Sequence, residues 1–319
     1  MPLAPDPGSP PDGKDAADPK TMRHVHSPRI RRTARSRSPL RDRVVSWAGW
    51  RDDNRAGWED RVPIHLGPGG YDVAGLLADP ARLSRTVRHD RDALGPLAGL
   101  SVVHLQCHIG TDTLSLARLG AASIAGLDFS PGAIAHCRSL FERAGVAGRF
   151  VEGDVFDAEA LLGERYDLVY ASIGAINWIP SIARWLAVAA ALLKPGGRLV
   201  LRDVHPMAMA IDPASDPDFR LRYPYAEREA PVTMHEGVTY SGDGRTLAHA
   251  TTHEWSHGIG EAVQGALDAG LVVTGLAEHF WTEWKMFESM RLVDDDRWEL
   301  PDAPERLPLL FTLRAKKPG

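Results

Sequence analysis

The chain has 319 residues, 44% of them hydrophobic, and a formal net charge of −5 at pH 7, enough to bury the core of one large α/β domain or two small ones. No apolar run approaches the ~20 residues that cross a bilayer, and no apolar segment follows the Arg-rich start as a secretory signal would require, so a soluble cytoplasmic protein is expected. Two cysteines, Cys107 and Cys137, offer no disulfide framework and fit a reducing compartment.

Residues 1–40 are rich in Pro, Asp, Gly, Arg and Ser without apolar periodicity and read as a disordered basic tail. Residues 20–43 hold nine Lys/Arg against one Asp, which leaves −10 on residues 44–319. That acidic body disfavours a polyanionic partner, and only the run Arg29 to Arg43 offers one a footing, with a solvated tail as the alternative. From Val44 the pattern changes. Trp47, Trp50, Asn54 and Trp58 recur at spacings of three and four, which places them on one helical face. Followed by Arg61-Val62-Pro63-Ile64-His65 and Gly69-Gly70-Tyr71, this helix makes residues 41–95 a candidate N-terminal helical lid, or else simply part of the core.

Beyond it, strand-like and helix-like segments alternate at the short spacing of βαβ units. Strands are predicted at 100–106, 123–128, 148–153, 166–172 and 198–204. The helix after the second is signalled by Ser130 as cap, Pro131 in the first turn and apolar residues at Ala133, Ile134, Cys137, Leu140 and Phe141. Another runs from about Ser181 to Leu193 and stops at Lys194-Pro195-Gly196-Gly197. Residues 206–256 break the alternation, with Val232–Tyr240 and Thr246–Trp255 able to pair as a hairpin. A helix at 258–269 and strands at 271–278 and 307–315 complete an α/β, doubly wound, seven-stranded Rossmann-like sheet over residues 96–319. The insertion after the fifth strand falls where open α/β sheets bind ligands, and reads as a substrate cap.

Chemistry concentrates at Val102-Val103-His104-Leu105-Gln106-Cys107-His108-Ile109-Gly110-Thr111-Asp112, then Gly126-Leu127-Asp128-Phe129-Ser130. A strand, a tight turn at Gly110, a helix and a second strand ending in an acid form a grip for a nucleoside cofactor. The helix start offers N–H groups, and the carboxylate accepts from both ribose hydroxyls. Glu152-Gly153-Asp154-Val155 and Leu193 to Gly197 follow in register.

In this order the motifs resemble the class I S-adenosylmethionine-dependent methyltransferases, closely over residues 95–205 and loosely over 44–319. The resemblance implies a methyltransferase with S-adenosyl-L-methionine as cofactor, and cofactor contacts at Gln106, His108, Gly110, Asp128, Phe129, Asp154, Val155, Ala171 and Ser172. Gly110 would lie against the methionine part, Asp128 bind the ribose, Asp154 accept from the adenine amino group, and Ala171 and Ser172 end the fourth strand under the sulfonium. The chain departs from the usual Gly-x-Gly-x-Gly at Gln106-Cys107-His108-Ile109-Gly110. It is similar there to a bacterial branch of small-molecule methyltransferases that reads His-Leu-Gln-Cys-His-x-Gly and carries a Trp-rich N-terminal helix, and Gln106 or His108 could then hydrogen-bond the cofactor.

A nicotinamide-binding dehydrogenase would need Gly-x-Gly-x-x-Gly, which is absent. His253-Glu254-Trp255-Ser256-His257 matches the His-Glu-x-x-His zinc pattern, but the helix signal begins only at Gly258, and His104-x-x-Cys107-His108 spans a strand and a turn, so no metal is expected. Ala171-Ser172-Ile173-Gly174 lacks the Asn/Asp-Pro-Pro-aromatic signature of base-amine methylases. The expected acceptor is therefore an oxygen or nitrogen of a small molecule or modified peptide, rather than a nucleic acid base, with secondary metabolism as the setting. The alternative is a non-catalytic relative that binds the cofactor or a protein partner, and a turnover assay discriminates the two. For a general base, His205 in Asp203-Val204-His205-Pro206 stands at the rim of the fifth strand, with His65 and Tyr71 as competitors, and a histidine bonded within its own loop as the structural reading. Trp47, Trp58, Tyr71, Trp178, Tyr223 and Tyr225 are the aromatic residues that could line a pocket. Oligomeric state is left open.

Overall fold

The computed structural model describes residues 46–235, 237–240 and 244–319, so the basic run Arg29 to Arg43 and the tail expected to be disordered lie outside the described residues. In chain order the elements are α1 Trp47–His65, α2 Val73–Ala78, α3 Arg85–Leu94, β1 Ser101–Leu105, α4 Thr111–Arg118, β2 Ser123–Asp128, α5 Pro131–Ala144, β3 Arg149–Glu152, α6 Ala158–Leu162, β4 Tyr166–Ala171, α7 Ile182–Leu192 and β5 Leu193–Val204. Then come α8 Pro206–Met209, β6 Val232–His235, β7 Thr251–Glu254, α9 Ile259–Asp268, β8 Val272–His279, β9 Trp281–Thr282, β10 Arg291–Leu292, β11 Trp298–Glu299 and β12 Leu310–Lys316.

Seven strands form one sheet in the order β3-β2-β1-β4-β5-β12-β8. The first five run parallel, while β12 lies antiparallel between β5 and β8. Because successive side chains of a strand alternate faces, each buried strand feeds two cores. Val103, Leu105, Leu127, Val169, Leu199, Leu201 and Phe311 meet α7 and α9 through Trp185, Leu186 and Ala266. Val102, Ile124, Leu168, Tyr170 and Val200 meet α3, α4 and α5 through Val87, Leu94, Leu114, Ile134 and Leu140. The result is a three-layer sandwich whose strand order reverses between β1 and β4. The carboxyl ends of those two strands are therefore the topological switch point at which ligands enter.

The helices stop and start where local chemistry requires. Ser130 caps α5 by accepting from Ala133 N–H, with Pro131 in its first turn, and Gly145 ends it in the left-handed region. Ser181 caps α7 in the same way. The turn predicted at Lys194 to Gly197 is instead the opening of a long β5, since Gly196 N–H reaches across to the carbonyl of Lys317.

Residues 41–95, the expected N-terminal helical lid, hold α1, α2 and α3. Helix α3 sits under the sheet, with Val87 and Leu94 in the second core, whereas α1 lies over the switch point and packs on the inserted β6–β7 hairpin. Asn54, buried within α1, donates to the carbonyl of His253 and accepts from its N–H, both at 2.8 Å, as a neighbouring strand would. Trp47 and Trp50 meet Trp255 edge-on at 5.9 and 5.7 Å. Helix α1 also runs through Pro63 to His65, which sets His65 two turns beyond Trp58 on the same face.

Candidate functional site

A cleft of about 840 Å³, its open mouth included, opens at the switch point. One wall is the turn after β1. Gln106, His108 and Gly110 all have positive φ, at 55°, 48° and 83°, so the left-handed backbone that glycine adopts cheaply persists where two glycines have been replaced. Side-chain bonds hold it there. The Gln106 amide donates to the carbonyl of Ala175 at 2.6 Å and accepts from the Trp185 indole N–H at 2.9 Å, which commits it to the scaffold. His108 N–H donates to the Asp128 carboxylate at 2.8 Å.

Gly110 is the N-cap of α4, and a Cβ there would come within 2.8 Å of Cys137 Sγ. Gly110→Ala is therefore expected to lower stability by about 2–4 kcal/mol, combining left-handed strain with overpacking. A urea unfolding series that found it as stable as wild type would refute this account of the turn.

Two carboxylates face the cleft from neighbouring strands. Asp128 ends β2, and its second oxygen accepts from Ser130 N–H at 2.9 Å. Burial pushes its pKa up to about 6, against the pull of those backbone N–H donors. Asp154 follows β3. Its Oδ1 accepts from Phe156 N–H at 2.9 Å, and its Oδ2 meets the Trp47 indole and the Arg51 guanidinium of α1, each at 3.3 Å. Phe129, Val155 and Ser172 also line the cleft, while Ala171 lies fully buried behind the wall.

The other end of the cleft is aromatic. Trp58 and Trp178 meet edge to face at 5.5 Å, and the hydroxyls of Tyr71 and Tyr240 lie 2.6 Å apart. Beneath them Ser172 donates to Asp112 at 3.1 Å and lies 3.3 Å from His104 Nε2. Burial raises the Asp112 carboxyl and pulls the His104 imidazole down to about 3.

A histidine held neutral in the fold titrates with an unfolded pKa near 6.5, so the stability it contributes is complete above that value and is lost as pH falls toward the folded pKa. The stability advantage of wild type over His104→Gln is thus expected to shrink by about 1.4 kcal/mol per pH unit below pH 6.5. A difference constant between pH 7 and 5 would show that His104 is not held neutral.

The candidate bases separate. His65 is buried, with Nδ1 2.8 Å from His108 Nε2 and Nε2 2.9 Å from Thr239 Oγ1, and Tyr71 packs against it with ring centres 5.4 Å apart. His205 does not face the cleft. Its Nδ1 caps α8 by accepting from Met207 N–H at 3.1 Å, its Nε2 lies 2.9 Å from Glu278 Oε1, and its ring abuts Phe311. The rim of β5 is covered by β8 and β12, which turns this position away from the gap between β1 and β4.

Tyr223 and Tyr225 are also outside the cleft, the latter accepting from Ile259 N–H at 3.2 Å. In the His253…His257 pattern, His253 lies on β7 against Asp53 and Thr233, and His257 bonds Glu227 from the loop before α9.

Sequence reasoning assigned no role to Arg51, Glu59, Tyr240 or Asp203. Glu59 on α1 accepts from Ser130 Oγ and Gly132 N–H, which ties that helix to the turn beside Asp128. Asp203, only 1% exposed, gathers the N–H groups of Gly174, Ala175 and Ile176 at 2.7–2.9 Å and so shapes the loop after β4. An Arg-Asp pair closing the apolar run Leu199-Val200-Leu201 was the available signal for it.

A family model described as a methyltransferase domain matches residues 102–197. A ubiquinone biosynthesis O-methyltransferase of Methylobacterium sp. (strain 4-46) is 37% identical over 111 residues, covering 34% of this chain and 43% of that protein. A protein of the same name from Azorhizobium caulinodans is 30% identical over 162 residues, covering 46% of this chain and 63% of its own length. The chain thus spans about half the length of these curated relatives. Among solved structures, the CcbJ methyltransferase from Streptomyces caelestis superposes with a TM-score of 0.52 at 17% identity, covering 83% of this chain and 99% of its own. The fold is the Rossmann-like methyltransferase fold. Among the described residues, no helix is long and apolar enough to cross a membrane.

Proposed function

We propose that this protein is an S-adenosylmethionine-dependent methyltransferase acting on an oxygen or nitrogen of a small molecule or modified peptide. The observation that carries the reading is the convergence, at one switch point, of a left-handed turn, the buried Asp128 carboxylate and the Asp154 carboxylate along one cleft wall. The donor set fits the cofactor. Asp128 suits a ribose diol and Asp154 an exocyclic amine, Phe129 and Val155 supply apolar flanks for adenine, and the positive φ at Gly110 brings the start of α4 close to the methionine part. His108, and Gln106 through its backbone, belong to the same wall, and Ser172 stands at its far end. When bound, the cofactor supplies an activated methyl group on a cationic sulfur.

The chain's own task is then to align the acceptor and exclude water, since in-line displacement depends on near-attack geometry at about 3–3.5 Å. Trp58, Trp178, Tyr71 and Tyr240 form an aromatic enclosure for that acceptor. Helix α1, held by Asn54 and Glu59, acts as the lid, and the β6–β7 insertion acts as the cap on which it rests. The names of two curated relatives, both O-methyltransferases of ubiquinone biosynthesis, support an oxygen acceptor without specifying it.

Calorimetry with S-adenosylmethionine and S-adenosylhomocysteine tests the binding step, and release of S-adenosylhomocysteine across phenols, alcohols and amines tests turnover. Absence of binding by either compound would sink the proposal. Binding without turnover of any class would favour the non-catalytic alternative.

A further inference from the structure

His65 and His108 form a continuous hydrogen-bonded line from the inserted loop to the cleft. Thr239 Oγ1 lies 2.9 Å from His65 Nε2, and His65 Nδ1 lies 2.8 Å from His108 Nε2. The remaining nitrogen, His108 Nδ1, has no hydrogen-bond partner among the described residues and is not among their enclosed, unpartnered polar atoms, while His108 itself lines the cleft. Its ring sits among Trp58, Tyr71 and His65, with centres 5.0, 5.7 and 5.0 Å away.

Taking the methyltransferase reading as its basis, we propose that His108 accepts the acceptor's proton at Nδ1, and that His65 is a positioning residue that fixes His108 in the tautomer able to do so. A hydrogen bond between two imidazoles requires one N–H and one lone pair, so the line admits two proton arrangements. In one, His65 Nε2–H donates to Thr239, His108 Nε2–H donates to His65 Nδ1, and a lone pair at His108 Nδ1 faces the cleft. The reverse arrangement aims an N–H there. A cleft built for a cationic sulfur favours the lone pair, because a positive N–H dipole beside a sulfonium is repelled.

The surroundings also hold the pair uncharged. No carboxylate hydrogen-bonds either ring among the described residues, Arg61 and His136 face His108, and desolvation lowers both imidazoles, His65 to about 4. A base that began as an imidazolium would repel the donor. A neutral one does not, and the acidity of the acceptor rises steeply as its bond to the methyl carbon forms.

The step balances. The acceptor's lone pair forms the new bond to the methyl carbon, the carbon–sulfur pair returns to sulfur, and the acceptor's O–H or N–H proton passes to His108 Nδ1 and then to solvent.

Nitrogen-15 NMR of histidine-labelled protein reads the tautomer directly. The two ligands would be S-adenosylhomocysteine and sinefungin, whose ammonium replaces the sulfonium, with His108→Asn assigning the signal. The expected result is an unprotonated Nδ1 and a protonated Nε2 on His108 between about pH 6 and 8 with either ligand. In His65→Phe the His108 signal should move to a mixture of tautomers while affinity for S-adenosylhomocysteine changes less than about threefold. Thr239→Val gives the same readout at the far end of the line if His65→Phe does not fold. With any phenol, alcohol or amine that the wild type methylates, His108→Asn should turn over at least ~10²-fold more slowly.

A proton on His108 Nδ1, or an imidazolium at neutral pH with ligand bound, would overturn the proposal. So would a tautomer indifferent to both variants. If neither ligand binds in calorimetry, the methyltransferase reading itself fails, whereas a reversed tautomer with intact binding removes only the role of His108.

Discussion

Asp128→Ala should weaken S-adenosylmethionine binding by about 1.5–3 kcal/mol, because two ribose hydroxyls lose a charge-assisted acceptor. The same carboxylate also holds His108 N–H and Ser130 N–H, so its removal unties the cofactor turn from β2. Unfolding free energy should fall as well, by about 1–3 kcal/mol for the two released backbone donors. Asp128→Asn retains one carbonyl acceptor and should fall between the alanine variant and wild type in both measurements. The pH dependence follows from burial. The folded carboxyl titrates near 6, above its unfolded value near 3.9, so the native state without ligand binds an extra proton between those values, and this group's contribution to stability falls as pH rises through that window. Cofactor affinity moves the opposite way, since the diol needs the charged form. Calorimetry should show binding weakening below about pH 6, by up to about tenfold per pH unit. Affinity in the alanine variant equal to wild type at pH 7.5 would show that Asp128 is a scaffold residue alone.

Asp203→Ala is expected to be the most destabilising of the substitutions considered. Its carboxylate satisfies Gly174, Ala175 and Ile176 N–H, and also its neighbour Val204 N–H at 2.7 Å. Burial pushes the Asp203 carboxyl upward while those four donors pull it down. Alanine would leave the donors without an acceptor in a site too enclosed for easy hydration, a loss of about 3–5 kcal/mol. Ser172, Ile173, Gly174 and Trp178 belong to the segment these bonds shape and line the acceptor end of the cleft. The variant should therefore lose turnover more than it loses affinity for S-adenosylhomocysteine, which rests mainly on the β1–β3 side. Urea unfolding together with calorimetry separates the two effects. Asp203→Asn, isosteric but uncharged, should recover part of the stability.

The half of the sheet that builds the cofactor side was readable from the chain because each element there is signalled locally. Strands β1 and β4 are largely apolar runs, β2 and β3 each close on an acid, and α5 carries both its cap and its apolar period. Positions that depend on distant partners were not readable. His205 looks like a cleft residue when the fifth strand is considered alone. Its orientation is decided by Glu278 and Phe311, from two strands whose insertion beside β5 no local pattern announces. Tyr240 reaches the cleft only because the hairpin returns over α1, and Asp203 acquires its role from a loop some thirty residues earlier in the chain. The Trp-bearing face of α1 was legible as a periodicity. That Asn54 on that face would bond the backbone of residue 253 was not, since an amide's partner across such a separation leaves no periodic trace.

The placement of β12 bears on the order in which the molecule can be assembled. Among the described residues strand β8 pairs only with β12, and β12 is also what joins β8 to β5. During synthesis β8 leaves the ribosome about thirty residues before the strand that gives it a place in the sheet. Until then β5 is an open edge, and β8, with Val272 and Leu276 still exposed in the finished fold, has no strand to pair with. Nascent chains halted in this interval would combine a nearly complete β1–β5 half with two unpaired strand edges. That is the condition under which strands of different chains associate. A break in translation between β8 and β12 is therefore the point at which aggregation competes most directly with folding.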